Sequence, residues 1–164
     1  MKNTTKRIIF GILILLNCIT IFYFSHQVAS NSSKQSGTIV EIISSIIPYI
    51  KNMQEPQKTI LMKEVITPIV RKLAHFSIYA LLGVFTTNFV LTIENKKLSK
   101  TSILSLIFCL IYAITDEYHQ TFIPGRYGDL RDVLIDTSGA LVGILSTIVI
   151  TIITRKFKKR KVKE

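Results

Sequence analysis

Four stretches of the chain run without a charged side chain for long enough to cross a lipid bilayer. Ile8–Phe24 covers 17 residues, Phe76–Ile93 18, Thr101–Thr115 15 and Thr137–Thr154 18. A spanning helix takes ~20 apolar residues, within a range of ~17–25. The fourth stretch extends upstream through Val133–Ile135 around Asp136. The third is short, ~22 Å of helix at ~1.5 Å per residue, so Asp116 and Glu117 are expected at the headgroup level. The pattern predicts an all-α polytopic membrane protein. Its four transmembrane helices fall at about 8–24, 74–93, 101–117 and 133–154, with a basic tail at 155–164. Ile8–Phe24 could instead be the apolar region of a signal peptide, with Val28-Ala29-Ser30 as a poor cleavage site. Seventeen residues is long for that role.

Between the first two spans the pattern changes. Ser25 to Gly37 is polar and serine-rich, a loop. Ile39, Ile42, Ile43, Ile46, Ile47 and Ile50 then recur at helical spacing, with Glu41, Ser44 and Ser45 on the other side. This predicts an amphipathic helix ending near Lys51, lying in the outer interface or packed on the bundle, with Pro48 as a kink. Pro56 can open a further helix. Its stripe of Leu61, Met62, Val65, Ile66, Ile69, Val70 and Leu73 runs into the second span through Arg71 and Lys72, past an expected kink at Pro68. Both segments read as a lid of packing helices, with a partner-binding groove as the alternative.

Composition agrees with a membrane chain. The mean hydropathy is +0.41, and charged residues make up 19% where soluble domains hold ~25%. Two cysteines, with no Cys-x-x-Cys and no zinc-finger spacing, exclude a disulfide scaffold and a structural zinc site. The net charge of +11 would suit a nucleic-acid binder, but its placement does not. With Met1 inside, the N-terminal tail (Lys2, Lys6, Arg7), the second connection (Lys96, Lys97, Lys100) and the C-terminal tail (Arg155 to Lys163) hold 13 of the 21 basic residues. Only Glu94 and Glu164 oppose them, and the other side is neutral overall. That asymmetry is the positive-inside signature, so both termini are expected in the cytoplasm and the protein in the plasma membrane. The basic tail is expected to touch anionic lipid rather than nucleic acid.

Charged groups at the edge of a span are costly, which makes their positions informative. Arg71, His75 and Tyr79 follow at i, i+4 and i+8 on the second helix, with Lys72 beside them. Asp116, Glu117, His119 and Gln120 close the third. Asp129, Asp132 and Asp136 share a face at the start of the fourth. The topology brings all of them, with Arg126 and Arg131, to the outer membrane face. Pro124-Gly125 reads as the centre of a type II turn, with Gly125 at the position of positive φ, folding Arg126 back over the acids. Gly139 and Gly143 permit close approach of another helix.

The run Arg71-Lys72-x-x-His75-Phe76-x-x-Tyr79-x-x-Leu82-Gly83 resembles the first signature of VanZ-like membrane proteins. Asp116-Glu117-x-x-Gln120-x-Phe122-x-Pro124-Gly125-Arg126-x-x-Asp129-x-x-Asp132 resembles the second. Phe24-Ser25-x-Gln27 is similar to the family's end of helix one. The likeness runs over roughly residues 22–143. The chain departs from the family pattern at Asp136, where Asn is expected, and at His26, where a small residue is. The family is named for an accessory protein of glycopeptide resistance that raises tolerance to teicoplanin. The resemblance therefore implies a role at the outer face of the bacterial cell envelope, without implying a particular reaction.

Three functions remain open on the residues. The first is a site for an anionic envelope lipid or lipid-linked precursor, with Arg71, Lys72, His75, Tyr79, Gln120, Arg126, Asp129, Asp132 and Asp136 as its lining. In an enzymatic version, His75, Asp116, Glu117, His119 and Asp132 are the candidates for general acid or base. The motifs hold no serine or cysteine nucleophile and no phosphatase signature. A metal is not expected, because Arg126 and Arg131 compete for the carboxylates and Arg71, Lys72 and His75 would repel a further cation. No cofactor is implied. The second function is structural: five acids and four bases forming an ion-pair network that locks the helices, although such networks add little over apolar packing. The third is a small transporter, which would call for midplane polar groups or inverted repeats.

Overall fold

Each apolar stretch forms one long helix. The computed structural model describes residues 3–27, 37, 40, 42, 45–93 and 97–161. The helices are α1 (Asn3–Ser25), α2 (Pro48–Lys51), α3 (Gln57–Ile93), α4 (Leu98–Gln120) and α5 (Leu130–Lys161). No strand occurs among the described residues. All but α2 are long and apolar enough to cross a membrane. Four crossings put the start of α1 and the end of α5 at the same end. Arg7 of α1 donates to the Thr92 carbonyl of α3 at 3.2 Å there.

The packing is that of a membrane bundle. Ile8, Ile12, Leu15 and Ile19 of α1, Ile103, Ile107 and Ile111 of α4, and Val142, Leu145 and Ile153 of α5 face outward. Such a surface suits lipid and would aggregate in water. The interior instead holds small and polar residues: Asn17, Thr86, Thr87, Thr101, Ser105 and Thr147 are buried beside Tyr79, Leu82, Cys109, Ala113 and Ala140. The threonine hydroxyls Thr86, Thr87 and Thr147 donate to the carbonyl four residues earlier, so no polar atom of theirs is stranded. Cys109 is a packing residue in this core, and Cys18 is half-buried.

α3 is the hub, packing on α1, α4 and α5. Its seam with α5 is made by backbone. A Cβ on Gly83 would sit 2.3 Å from the Ala140 carbonyl oxygen, one on Gly139 2.2 Å from that of Phe76, and one on Gly143 1.9 Å from that of Ala80. Only glycine allows the helices to meet this closely.

The connection between α1 and α3 differs from the sequence expectation in two places. Ile47 is extended, at φ −87° and ψ 109°, so Pro48 does not kink a helix reaching Lys51 but ends one and opens the separate turn α2. A proline disfavours the helical region in the residue before it. Backbone at Gly37, Val40, Ile42, Ser45 and Ile46 is helical, and Ile42, Ile46 and Ile47 point outward while Val40 and Ile50 are buried. Ile39, Glu41, Ile43, Ser44 and residues 28–36, where the sequence predicts a loop, lie outside the described residues. Pro56 does precede a helix, and it continues without a break into the second span. Ahead of Pro68 the backbone widens into a π-helical turn, Leu61–Ile66, where the Thr67 N–H and hydroxyl both reach back to the Met62 carbonyl. A proline ring clashes with the carbonyl four residues earlier, and the added residue in this turn relieves that conflict.

Candidate functional site

The connection between α4 and α5 builds one wall of a cavity of about 270 Å³ at the end of the bundle away from the termini. Gly125 has φ 77° and the Arg126 N–H closes the turn on the Ile123 carbonyl at 3.1 Å. The expected type II turn is therefore present, and it carries Arg126 into the bundle, 9% exposed. Burial, and after it the neighbouring Arg71 guanidinium, push the Arg126 pKa below its ordinary value. Arg126 does not pair with a carboxylate, however. Its guanidinium donates to Gln120 Oε1 at 2.9 Å and to the Phe24 carbonyl at 3.1 Å, and its Nε is buried without a partner.

The carboxylates around the cavity have other partners. Glu117 accepts from Gln120 Nε2 at 2.9 Å and from the Asp129 N–H at 3.0 Å. Asp129 precedes α5 and accepts the Arg131 N–H at 2.9 Å, which makes it the helix cap. Asp132 pairs with Lys72 at 2.6 Å. Arg71 lines the cavity, and no hydrogen bond or ion pair joins its guanidinium to another described residue.

Deeper in the bundle, Asp116 is 5% and Asp136 1% exposed. Three donors converge on Asp116 Oδ2: the Ser25 hydroxyl at 2.9 Å, the Tyr79 hydroxyl at 3.4 Å and Gln120 Nε2 at 3.4 Å. His75 Nδ1 lies 3.7 Å from Asp136 Oδ2, which has no hydrogen-bond partner. His75, Asp116 and Asp136 each offer a nitrogen or oxygen ligand atom, all within 4.8 Å of one another.

The structure therefore brings together Arg71, Lys72, His75, Glu117, Gln120, Arg126, Asp129, Asp132 and Asp136 as cavity wall, with Tyr79 and Asp116 behind it. It does not bring His119. That ring stacks on Phe22 at 4.6 Å and on His26 at 5.4 Å between centroids, with His119 Nε2 3.3 Å from His26 Nδ1. Arg131 does not line the cavity either. At the cavity the acid–base contacts between described residues are Lys72–Asp132 and, as an ion pair only when the imidazole is protonated, His75–Asp136; the two share no residue. Ser25 and the Phe24 carbonyl were absent from the site residues read from the sequence. Their signal was the Phe24-Ser25-x-Gln27 run, which places the end of α1 beside the two longer motifs.

No curated protein and no solved structure matches the chain. A family model described as VanZ/LLP1 matches residues 10–152, from the first turns of α1 to near the end of α5. The cavity wall and the buried residues behind it all fall inside that match, and the chain belongs to the VanZ/LLP1 family.

Proposed function

We propose that this protein binds the anionic headgroup of a cell-envelope lipid or lipid-linked precursor, in the cavity, at the outer face of the plasma membrane. The observation that carries this is the state of the two arginines. Arg126 is buried with a free Nε, and Arg71 stands beside it with no carboxylate partner among the described residues. Two adjacent guanidiniums repel each other, and a phosphate between them would offset that repulsion with bidentate, charge-assisted hydrogen bonds. The acids do not oppose this, because Glu117, Asp129 and Asp132 already accept internal donors.

The charge asymmetry of the chain supports the orientation. Basic residues gather at the end opposite the cavity, where α5 continues as helix through Arg155, Lys156, Lys158, Lys159 and Arg160. Facing the cytoplasm, that end would also touch anionic lipid. A volume of about 270 Å³ is at the lower limit for a small-molecule site. It suits a phosphate-sized headgroup and is too small for a glycopeptide antibiotic. Any link to teicoplanin tolerance then runs through the envelope lipid, not through capture of the drug. The purely structural alternative accounts for Arg126, which ties Gln120 to the Phe24 carbonyl, but gives no role to Arg71, whose guanidinium has no ion pair with a described residue.

The test is lipid recovery. Protein purified in mild detergent should retain phosphate-headgroup lipid by mass spectrometry, and Arg126→Lys should lose it despite keeping the charge. Equal retention by Arg126→Lys at equal monodispersity would overturn the proposal.

A further inference from the structure

Beneath the anion cavity, we infer that His75, Asp116 and Asp136 bind a single divalent transition-metal ion of the Zn2+ class. Metal binding by this trio goes beyond the headgroup reading and does not depend on it.

Geometry is the first support. The three ligand atoms lie within 4.8 Å of one another, and the His75 Nδ1 to Asp136 Oδ2 separation is 3.7 Å. Ligands at ~2.0–2.2 Å from a tetrahedral ion are ~3.4 Å apart, so the trio needs only small side-chain rotations to close on one. A direct charge-assisted hydrogen bond would be ~2.7–2.9 Å, and this pair is too far apart to be one.

The second support is independent. Asp136 is 1% exposed and its Oδ2, the oxygen that faces His75, has no hydrogen-bond partner. A carboxylate oxygen stranded in an apolar bundle is costly. Two carboxylates and a neutral imidazole carry a charge of minus two, which one divalent cation neutralises. Asp116 has the outer support that ligating carboxylates carry, since Ser25, Tyr79 and Gln120 all donate to its Oδ2.

Two of the cations expected to exclude a metal are held by other groups. Arg126 bonds Gln120 and Phe24, and Lys72 bonds Asp132. One imidazole and two carboxylates favour Zn2+ or Mn2+ over a soft ion, which would call for thiolates. Three protein ligands leave a coordination position open, as in catalytic rather than structural sites. His75 and Asp136 also line the cavity, so that position faces it. A phosphate oxygen could occupy it, and this last step does rest on the headgroup reading.

The full chain is purified in mild detergent, stripped with chelator and reloaded with Zn2+. Elemental analysis should find about one ion per chain, and titration should show affinity falling at least about 10-fold in Asp136→Asn, Asp116→Asn and His75→Gln. His26→Asn combined with His119→Gln should leave the ion in place. Co2+ added to the unmutated protein should give visible bands that Zn2+ abolishes, a readout that survives if a variant fails to fold. The inference is overturned if the unmutated chain takes up neither ion. It is equally overturned if Asp136→Asn keeps the ion while the His26/His119 variant loses it. Arg126→Lys should keep the metal, so loss of lipid there separates the two sites.

Discussion

At the scale of single residues, the buried hydroxyl of Ser25 is the sharpest probe. It is fully buried and holds Asp116 across helices at 2.9 Å. Ser25→Ala should cost about 1–3 kcal/mol, the usual penalty for removing one partner of a buried polar pair. A thermal melt in detergent reads that loss. Asp132→Ala should behave differently. Its pair with Lys72 is partly exposed, with side chains 29% and 39% accessible, so stability should change by only ~0–1 kcal/mol. Function should fall nonetheless, since Lys72 then moves freely in the cavity, whereas Lys58→Ala should alter neither. Equal effects of Asp132→Ala and Lys58→Ala in a growth or lipid-binding assay would contradict that contrast. Much of the site was visible in the charged residues that a span should not contain. His119 was not, for a geometric reason. Residues advance by ~100° along a helix, so Glu117 and His119, two apart, point ~160° away from each other. They cannot both face the cavity, and His119 turns to α1. The partners of Arg126 were also out of reach, because a charge pattern says which groups are near but not that an amide and a carbonyl will be preferred to the acids.

At the scale of elements, the α3–α5 seam invites the most direct test. Gly143→Ala would place a methyl 1.9 Å from the Ala80 carbonyl oxygen, and backbone cannot rotate away as a side chain can. Overpacking of this kind typically costs about 1–3 kcal/mol. A lower melting temperature, or a rise in aggregates on extraction, would report it, and an unchanged melt would refute the close approach. The spacing of Gly139 and Gly143 made this contact foreseeable, and the apolar runs did the same for the four long helices. The π-helical turn at Leu61–Ile66 was not foreseeable in kind, although Pro68 marked its neighbourhood. A proline announces that regular hydrogen bonding fails nearby, while the backbone chooses between a bend and an added residue. The periodicity of the amphipathic segment overruns its helix by one turn, because it continues through Ile50 while Pro48 stops the hydrogen bonds.

At the scale of the whole molecule, orientation is the property to establish. Cysteine placed at Asn52 should react with a membrane-impermeant thiol reagent in intact cells, and cysteine at Ser99 should not. Both positions are exposed, Asn52 in the connection between α2 and α3 and Ser99 in the first turn of α4, at opposite ends of the bundle. Cys18 and Cys109 sit within the spans and supply the background control. Reaction at Ser99 alone would invert the molecule and move the cavity to the cytoplasm. The α3–α5 seam matters at this scale as well. Phe76 follows His75 directly, and Gly139 is one turn beyond Asp136, so the two helices touch bare backbone to bare backbone beside the His75–Asp136 gap. The seam works as a gauge block: it sets the spacing of the cavity walls with no side chain that could flex. Wear on such a gauge is read at the site, not at the seam, and a single methyl at Gly139 would shim the two halves apart without changing the identity of any wall residue.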